Sequence, residues 1–316
     1  MLVEIVAEVL EQLRLVLSEV YGLQTIAAEM FFFRPFILLV VLGITAGVVS
    51  VIVNLQQLEF NTEATVHAIF PGIVAGAVFL GIEKINVGAA VVGVFVVAAL
   101  TWNTWRKTEQ TSHSSGKSHA EAGTAIILTS FFAVGVVLSL KKGDMSGQLE
   151  ALMFGRLLEV TDERAVQSII ACLIALCALG FTWRRQIFVA FDRDGARVSG
   201  INIFAIDFVA NMAIAAVVIA GASAIGTLLV IGYLIVPGAV GKMLCSHTRT
   251  MCIVSMFVGV LGGYAGMLFM NLPSSHPISP QGTVALSVVG IFFVSLGVRA
   301  IFRGISKHTK IRRIEA

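Results

Sequence analysis

The sequence predicts an all-α integral membrane protein, a polytopic bundle of about nine transmembrane helices that follows an N-terminal interfacial helix. Of the 316 residues, 57% are hydrophobic and only 13% are charged, and the mean hydropathy is +0.92. An average soluble domain carries about 25% charged residues. The chain therefore has too few polar groups to cover a surface in water, and its apolar excess indicates the bilayer as solvent.

Long stretches of the chain contain no Asp, Glu, Lys or Arg. A transmembrane helix needs about 20 predominantly apolar residues, and a lipid-facing helix satisfies its backbone hydrogen bonds locally. A membrane β-barrel would instead alternate apolar and polar residues, which these stretches do not do. Helical spans are therefore predicted. The uncharged stretches are 35–58, 85–105, 122–140, 165–183, 208–241 and 250–298.

Nine spans fit these stretches. The sixth and seventh share one uncharged run, 208–241, which is too long for a single typical helix. The sequence Gly221-Ala-Ser-Ala-Ile-Gly226 within it predicts a break. The predicted bounds are 35–54, 63–81, 86–103, 123–140, 165–183, 201–220, 224–242, 250–270 and 283–302.

The chain divides into three predicted segments. Residues 1–32 form an amphipathic interfacial helix, because apolar residues from Leu2 to Val20 recur near helical spacing. Residues 33–303 form the transmembrane domain. Residues 304–316 form a basic tail.

The distribution of Lys and Arg predicts the orientation, because these residues are retained on the cytoplasmic side. Nine spans divide the connecting segments into two alternating sets. The set that includes the N-terminus holds 7 of the 22 Lys and Arg residues, and the other set holds 15. We therefore expect the N-terminus outside and the C-terminal tail in the cytoplasm, in a multi-pass protein of the cytoplasmic membrane.

The remaining composition indicates little about partners. Net charge is +3, and no nucleic-acid partner and no permanently bound cofactor are expected. The four cysteines have no CxxC spacing and are interpreted as packing residues. The chain contains no GxxxxGK[ST] sequence, so any ATPase would be a separate protein.

One cluster of ionisable residues lies in a predicted span. Glu63 and His67 are four residues apart and so share a helix face. A carboxylate with an imidazole suits Zn, Mn or Fe better than Ca or Mg, and ionisable groups in spans mark candidate functional sites. Alternatively, the pair forms a hydrogen bond for helix packing, or Glu63 reaches cytoplasmic water. Two ligands cannot hold a metal, so others must come from elsewhere in the bundle or from a second copy.

The stretch Leu58–Gly72 resembles the signature helix of the zinc, manganese and iron ABC importer permeases (the ABC-3 type), which typically read Gly-Asp-Ala-x-Ser-His-Ala-x-x-Pro-Gly. Glu63 stands where the family has Asp, and Thr62 and Val66 replace its Gly and Ser. The resemblance implies that the acid and the His line the translocation path and contact the metal. The longer Glu side chain leaves the metal preference open. The directly matching residues are His67, Ala68, Pro71 and Gly72.

Three further stretches are similar to the same family: Phe33-Arg34, Phe191–Ile201 and Ile225–Ala239. The order of these stretches agrees with the family across most of residues 33–300, so residues 33–303 are interpreted as the permease domain. Proline is expected to bend a helix, which makes three residues candidates for a kink or gate. They are Pro71, Gly72 and Pro237.

The segment Asp192–Gly200 is short, charged and predicted to be helical and cytoplasmic. Asp194 would favour a helix N-terminus, and Arg197 could pair with an acidic partner surface. The resemblance implies a coupling helix that docks on the ATPase; otherwise the segment is an ordinary solvated loop. The candidate coupling residues are Asp192, Asp194, Gly195, Ala196, Arg197 and Gly200.

The resulting hypothesis is a transport subunit, not an enzyme. It would translocate a divalent transition metal ion (manganese, zinc or iron) between two copies of itself or with a homologous permease. An extracytoplasmic metal-binding protein would deliver the ion, and cytoplasmic ABC ATPase subunits would drive transport. The alternatives are an ion-coupled secondary metal transporter, for which several intramembrane carboxylates and an internal repeat would be expected, and a membrane-embedded hydrolase.

Overall fold

The structure is a computed structural model that describes residues 2–20, 22–81, 84–110, 116–140, 155, 157–222, 225–270 and 279–312. Within these residues the regular structure is entirely helical, which confirms the predicted all-α class. The α-helices are α1 Leu2–Leu17, α2 Gln24–Ala27, α3 Met30–Gln56, α4 Glu59–Ala68, α5 Phe70–Ala75, α6 Ile85–Gln110, α7 Gly116–Leu140, α8 Asp162–Phe191, α9 Arg193–Val198, α10 Ile203–Ala222, α11 Thr227–Leu244, α12 Thr248–Met270 and α13 Pro280–Arg312. A π-helical turn covers Gly76–Leu80, and a 3₁₀ turn covers Leu157–Glu159.

Eight helical segments in the described residues are long and apolar enough to cross a membrane, and a ninth is shorter. The shorter one lies in α11, the predicted seventh span, with its apolar part at Leu229–Leu244. Helix α10 ends at Ala222 and α11 begins at Thr227, so the uncharged run is divided where the two glycines predicted a break. Gly226 has a φ of 87°, a conformation that a residue with a side chain rarely adopts.

Helix α3 is the centre of the bundle. It packs against α8, α10, α11 and α12. Of the residues in its most apolar 18-residue stretch, 72% are buried inside the chain. Hydropathy alone does not distinguish buried spans from peripheral ones: α10 and α13 are almost equally hydropathic, yet 61% of the most apolar stretch of α10 is buried and only 22% of that of α13. A side chain facing lipid and one facing other helices are equally apolar, which explains why burial was not predicted from the sequence.

Glycines bring α3 and α12 into backbone contact. A Cβ atom on Gly43 would lie 2.7 Å from the carbonyl carbon of Gly259, and one on Gly259 would lie 2.4 Å from the carbonyl oxygen of Gly43. Small residues at such crossings let helices approach closely in a membrane, where packing replaces the hydrophobic effect as the driving force.

The predicted single N-terminal helix differs from the structure. Helix α1 ends at Leu17, and the first span begins at Met30, five residues before its predicted start. Arg14, in the last turn of α1, donates hydrogen bonds to the carbonyl oxygens of Ala27 and Ala28. Its hydrogen bond with Glu11 holds the pKa of that carboxyl below its ordinary value. The amphipathic pattern lies in α1, but the sequence analysis did not predict the turn after Leu17 that packs α1 against α3.

Several helices continue beyond the predicted spans. Helix α6 reaches Gln110 and α7 begins at Gly116, so most of the predicted loop between them is helical. Helix α8 likewise covers Asp162–Phe191 rather than 165–183, and α13 continues to Arg312, into the predicted tail. Hydropathy predicts which residues lie in the bilayer. A helix continues beyond the bilayer into water where its residues have a sufficient propensity for helix.

The contact between α3 and α12 leads to a stability prediction. Gly259→Val would force two backbones apart and should destabilise the protein by about 3 kcal/mol or more. The matched control is Gly290→Val, because a Cβ on Gly290 meets nothing within 4 Å. Thermal unfolding of the two purified variants in detergent measures the difference, and equal melting temperatures would contradict this packing.

Candidate functional site

The predicted signature helix is interrupted in the middle. Helix α4 ends at Ala68 and α5 begins at Phe70, with Ile69 between them. Pro71 lies in the first turn of α5, where the absence of its N–H is tolerated. The carbonyl oxygen of His67 consequently receives no helical hydrogen bond from residue 71. Pro71 and Gly72 are both buried, whereas α11 runs without interruption through Pro237.

In the described part of the structure, Glu63 and His67 lie on a face of α4 that no other helix fully covers. The carboxylate-bearing residue is exposed and the His is half-buried, whereas their helical neighbours Thr62, Val66 and Ala68 are buried. Both side chains belong to the apolar segment Glu59–Leu80, one of the candidate membrane spans. A carboxylate on the surface of a span is costly unless water, a cation or another protein chain covers it.

Helix α7 provides an aromatic wall beside this face. The His67 ring meets the ring of Phe132 edge-on, with centroids 5.8 Å apart. Phe132 in turn contacts Phe70, with centroids 5.4 Å apart. The half-buried imidazole of His67 therefore packs edge-on against an aromatic pair from α5 and α7.

A network of polar side chains lies near Glu63, where α4 contacts α7. The Asn103 side-chain amide donates to the Thr124 hydroxyl at 3.1 Å, and that hydroxyl donates to the side-chain Oδ1 of Asn61 at 3.4 Å. Asn61 precedes Glu63 by two residues. This network, which was not predicted, links α4, α6 and α7 beside the candidate site.

Within one chain the site is incomplete as a metal site. Among the described residues, no group of three or more His, Cys, Asp and Glu side chains is placed to hold a metal ion. Glu63 and His67 offer one carboxylate and one imidazole, a set that suits a divalent transition metal. Further ligands would have to come from water, backbone oxygens or a second chain.

The predicted coupling segment forms a short helix, α9, that is capped by its own sequence. The backbone N–H of Gly195 donates to Asp192 Oδ1 at 2.8 Å, which makes Asp192 the N-cap. A Cβ on Gly195 would lie 2.2 Å from Asp192 Oδ2, so a larger residue at this position would displace the capping carboxylate. Gly200 ends the segment with a φ of 79°.

One face of α9 is anchored and the other is free. Ala196 is fully buried against Val189 and Ile206. Asp194 and Arg197 are exposed, and Val198 is 89% exposed. The exposed side of α9 therefore presents two charged side chains and one apolar side chain.

Arg193 was absent from the predicted coupling residues, yet it holds α9 to the bundle. Its guanidinium donates to Asp207 Oδ2 in the first turns of α10. The Asp207 side chain is 5% exposed, so Arg193 compensates a carboxylate that the protein buries. The sequence places Asp207 within an apolar stretch, but it does not identify Arg193 as the partner of this carboxylate.

Amide side chains connect neighbouring helices at the same end. Gln56 donates to Gln186 Oε1 at 2.7 Å, and fully buried Gln186 donates to the Ile206 carbonyl oxygen at 3.0 Å. Lys242 donates to the Asn54 carbonyl oxygen at 2.7 Å. The ends of α3, α8, α10 and α11 are therefore tied together next to α9.

The comparison with known proteins decides the family. A profile described as "ABC 3 transport family" matches residues 28–299. The chain belongs to the ABC 3 transport family. This membership confirms the family resemblance predicted from the Leu58–Gly72 motif. The chain is therefore a membrane subunit of an ABC transporter rather than an enzyme.

Relatives of this ABC 3 permease extend over most of its length. The manganese import system permease protein ScaB of Streptococcus gordonii is 25% identical over 273 residues, covering 86% of this chain and 92% of that protein. The chelated iron transport system membrane protein YfeD of Yersinia pestis is 26% identical over 263 residues, covering 83% and 82%. Among solved structures, PsaBC from Streptococcus pneumoniae in complex with Fab shares the fold, with a TM-score of 0.71, 22% identity and coverage of 87% and 92%.

The contact between Arg193 and Asp207 leads to a stability prediction for the ABC 3 permease. Arg193→Ala should cost roughly 2–3 kcal/mol, because it leaves a buried carboxylate unpaired. The additional change Asp207→Asn should restore part of that loss. Arg197→Ala, on the exposed face, should leave the melting temperature unchanged. A double variant no more stable than Arg193→Ala would contradict the pairing.

Proposed function

We propose that this ABC 3 permease moves a divalent transition metal ion across the cytoplasmic membrane, with Glu63 and His67 contacting the ion in transit. The observation that carries the proposal is the placement of these two side chains on an open face of an apolar bundle. The names of the relatives reported above specify manganese and chelated iron. We therefore place manganese and iron ahead of zinc as the transported metal.

The path is proposed to lie between two permease chains that meet at the α4 face. A single chain offers only two ligands there among its described residues. Bringing a second copy, or a homologous permease, against this face would double the ligands and shield Glu63 from lipid. Two ligands from each chain would bind the ion only weakly. Weak binding suits transport, because an ion has to leave as readily as it enters.

Energy is proposed to come from ATPase subunits that dock on α9. The exposed residues Asp194, Arg197 and Val198 form the contact, and Ala196 with Arg193 transmits movement into α10. This assignment places α9 and the C-terminus in the cytoplasm and the N-terminus outside, in agreement with the Lys and Arg bias. An extracytoplasmic binding protein would deliver the ion at the opposite end.

Membership in an ABC family favours this account over an ion-coupled secondary transporter. Uptake in membrane vesicles distinguishes the two mechanisms. ATP dependence without dependence on a proton or sodium gradient is expected, whereas gradient-driven uptake without ATP would support the alternative.

Substitutions at the candidate metal contacts test the path. At similar size, Glu63→Gln removes the negative charge of one candidate ligand and His67→Gln removes the imidazole nitrogen of the other. Each should reduce uptake of radioactive manganese by at least about tenfold, since even the loss of an outer-shell partner of a metal ligand costs that much. Glu19→Ala, which changes an exposed residue outside the spans, is the control. Membrane levels are measured by immunoblot, and full uptake at normal levels in both Gln variants would remove these residues from the path.

Substitutions on α9 test ATPase docking separately. Arg197→Glu combined with Val198→Asp should weaken co-purification of the ATPase subunit at least about tenfold, or about 1.4 kcal/mol. The control is Arg249→Glu, an exposed charge reversal at the start of α12 on the proposed cytoplasmic side. Unchanged co-purification in the α9 variant would place the docking surface elsewhere.

A further inference from the structure

An apolar groove unrelated to the metal site lies on the surface of the bundle. Helices α6 and α8 both pack against α10 and leave a groove of about 410 Å³ between them. Its floor includes Met212 and Ala216 of α10, and its walls include Val94 of α6 and Ile174 of α8. Val94 is 50% exposed and Ile174 is 56% exposed, so the rim of the groove opens onto the surrounding medium.

The groove lies within the membrane-spanning part of all three helices. On α6 it extends from Asn86 to Val94, which is roughly 12 Å at 1.5 Å per residue. One leaflet of the hydrocarbon core is roughly 15 Å deep, half of about 30 Å. The length of the groove therefore corresponds to one leaflet, measured from the membrane interface inward.

The polar lining is confined to one end. Asn86 is one residue from the start of α6, and Gln167 is five residues from the start of α8. Asn86 is 8% exposed, and within the described structure its Nδ2 atom has no hydrogen-bond partner. Leaving a buried amide without a hydrogen-bond partner is energetically unfavourable, so an acceptor at this position would relieve that penalty.

We propose that the groove binds a membrane phospholipid, with an acyl chain against α10 and a glycerol ester carbonyl accepting the hydrogen bond of Asn86 Nδ2. The exposed Lys84 lies two residues before Asn86, beside the N-terminal end of the 26-residue α6. Both favour a phosphate on the α6 side of the groove. On the α8 side, Glu163 Oε1 lies 3.5 Å from Gln167 Nε2, and its negative charge disfavours a phosphate there.

Native mass spectrometry of the full-length permease purified in detergent tests this proposal, with phosphatidylglycerol as the added lipid. Gly93→Phe fills the groove, since a Cβ on Gly93 faces Ile219 of the lining at an ordinary 3.4 Å. Asn86→Leu removes the donor but keeps the apolar lining. The matched control is Gly290→Phe, the same change at an exposed glycine with nothing within 4 Å of its Cβ.

The wild type and Gly290→Phe should retain one phospholipid per chain. The fraction of chains with bound phospholipid should fall at least tenfold in Gly93→Phe and several-fold in Asn86→Leu. Equal lipid retention in Gly93→Phe and Gly290→Phe would overturn the proposal. Loss of pairing between chains in Gly93→Phe with unchanged lipid retention would also overturn it, because a second copy would then occupy the groove. If Gly93→Phe does not fold, Asn86→Leu decides, and wild-type lipid retention in that variant refutes the lipid site.

Discussion

The cost of placing a carboxylate in hydrocarbon is the constraint on which the functional parts of this molecule depend. The chain meets that cost in two different ways. Asp207 is buried and paired with Arg193, which fixes α9 against α10. Glu63 has no such cover from the residues that the structure describes, and it stays on an open face of α4, beside His67. The paired carboxylate serves the fold, and the open one requires a cation, water or a second chain.

The two regions are joined by continuous packing. Helix α9 rests on α8 and α10 through Ala196, and α10 also contacts α4, which carries Glu63 and His67. The interruption between α4 and α5 at Ile69 separates the half that bears the candidate ligands from the half that packs on α6 through Gly72 and Gly88. A displacement of α9 by a docked subunit would therefore act on α4 through one intervening helix.

The sequence was sufficient to predict the membrane class, the approximate spans and the break before Gly226, because bilayer thickness and backbone sterics act locally along the chain. It also identified α9 and the shared face of Glu63 and His67. It did not predict the pairing of Arg193 with Asp207, the Gln56–Gln186 contact or the groove beside Asn86. Each of these depends on which helices become neighbours, and lipid-facing and helix-facing positions are equally apolar.

The central claim is that the imidazole of His67 touches the transported ion. Pulsed electron paramagnetic resonance of Mn²⁺, held in the permease assembled with a hydrolysis-deficient ATPase and its binding protein, measures nitrogen coupling directly. The account predicts an imidazole nitrogen signal that disappears in His67→Gln while Mn²⁺ remains in the membrane subunits. An identical nitrogen signal in the wild type and in His67→Gln would contradict it.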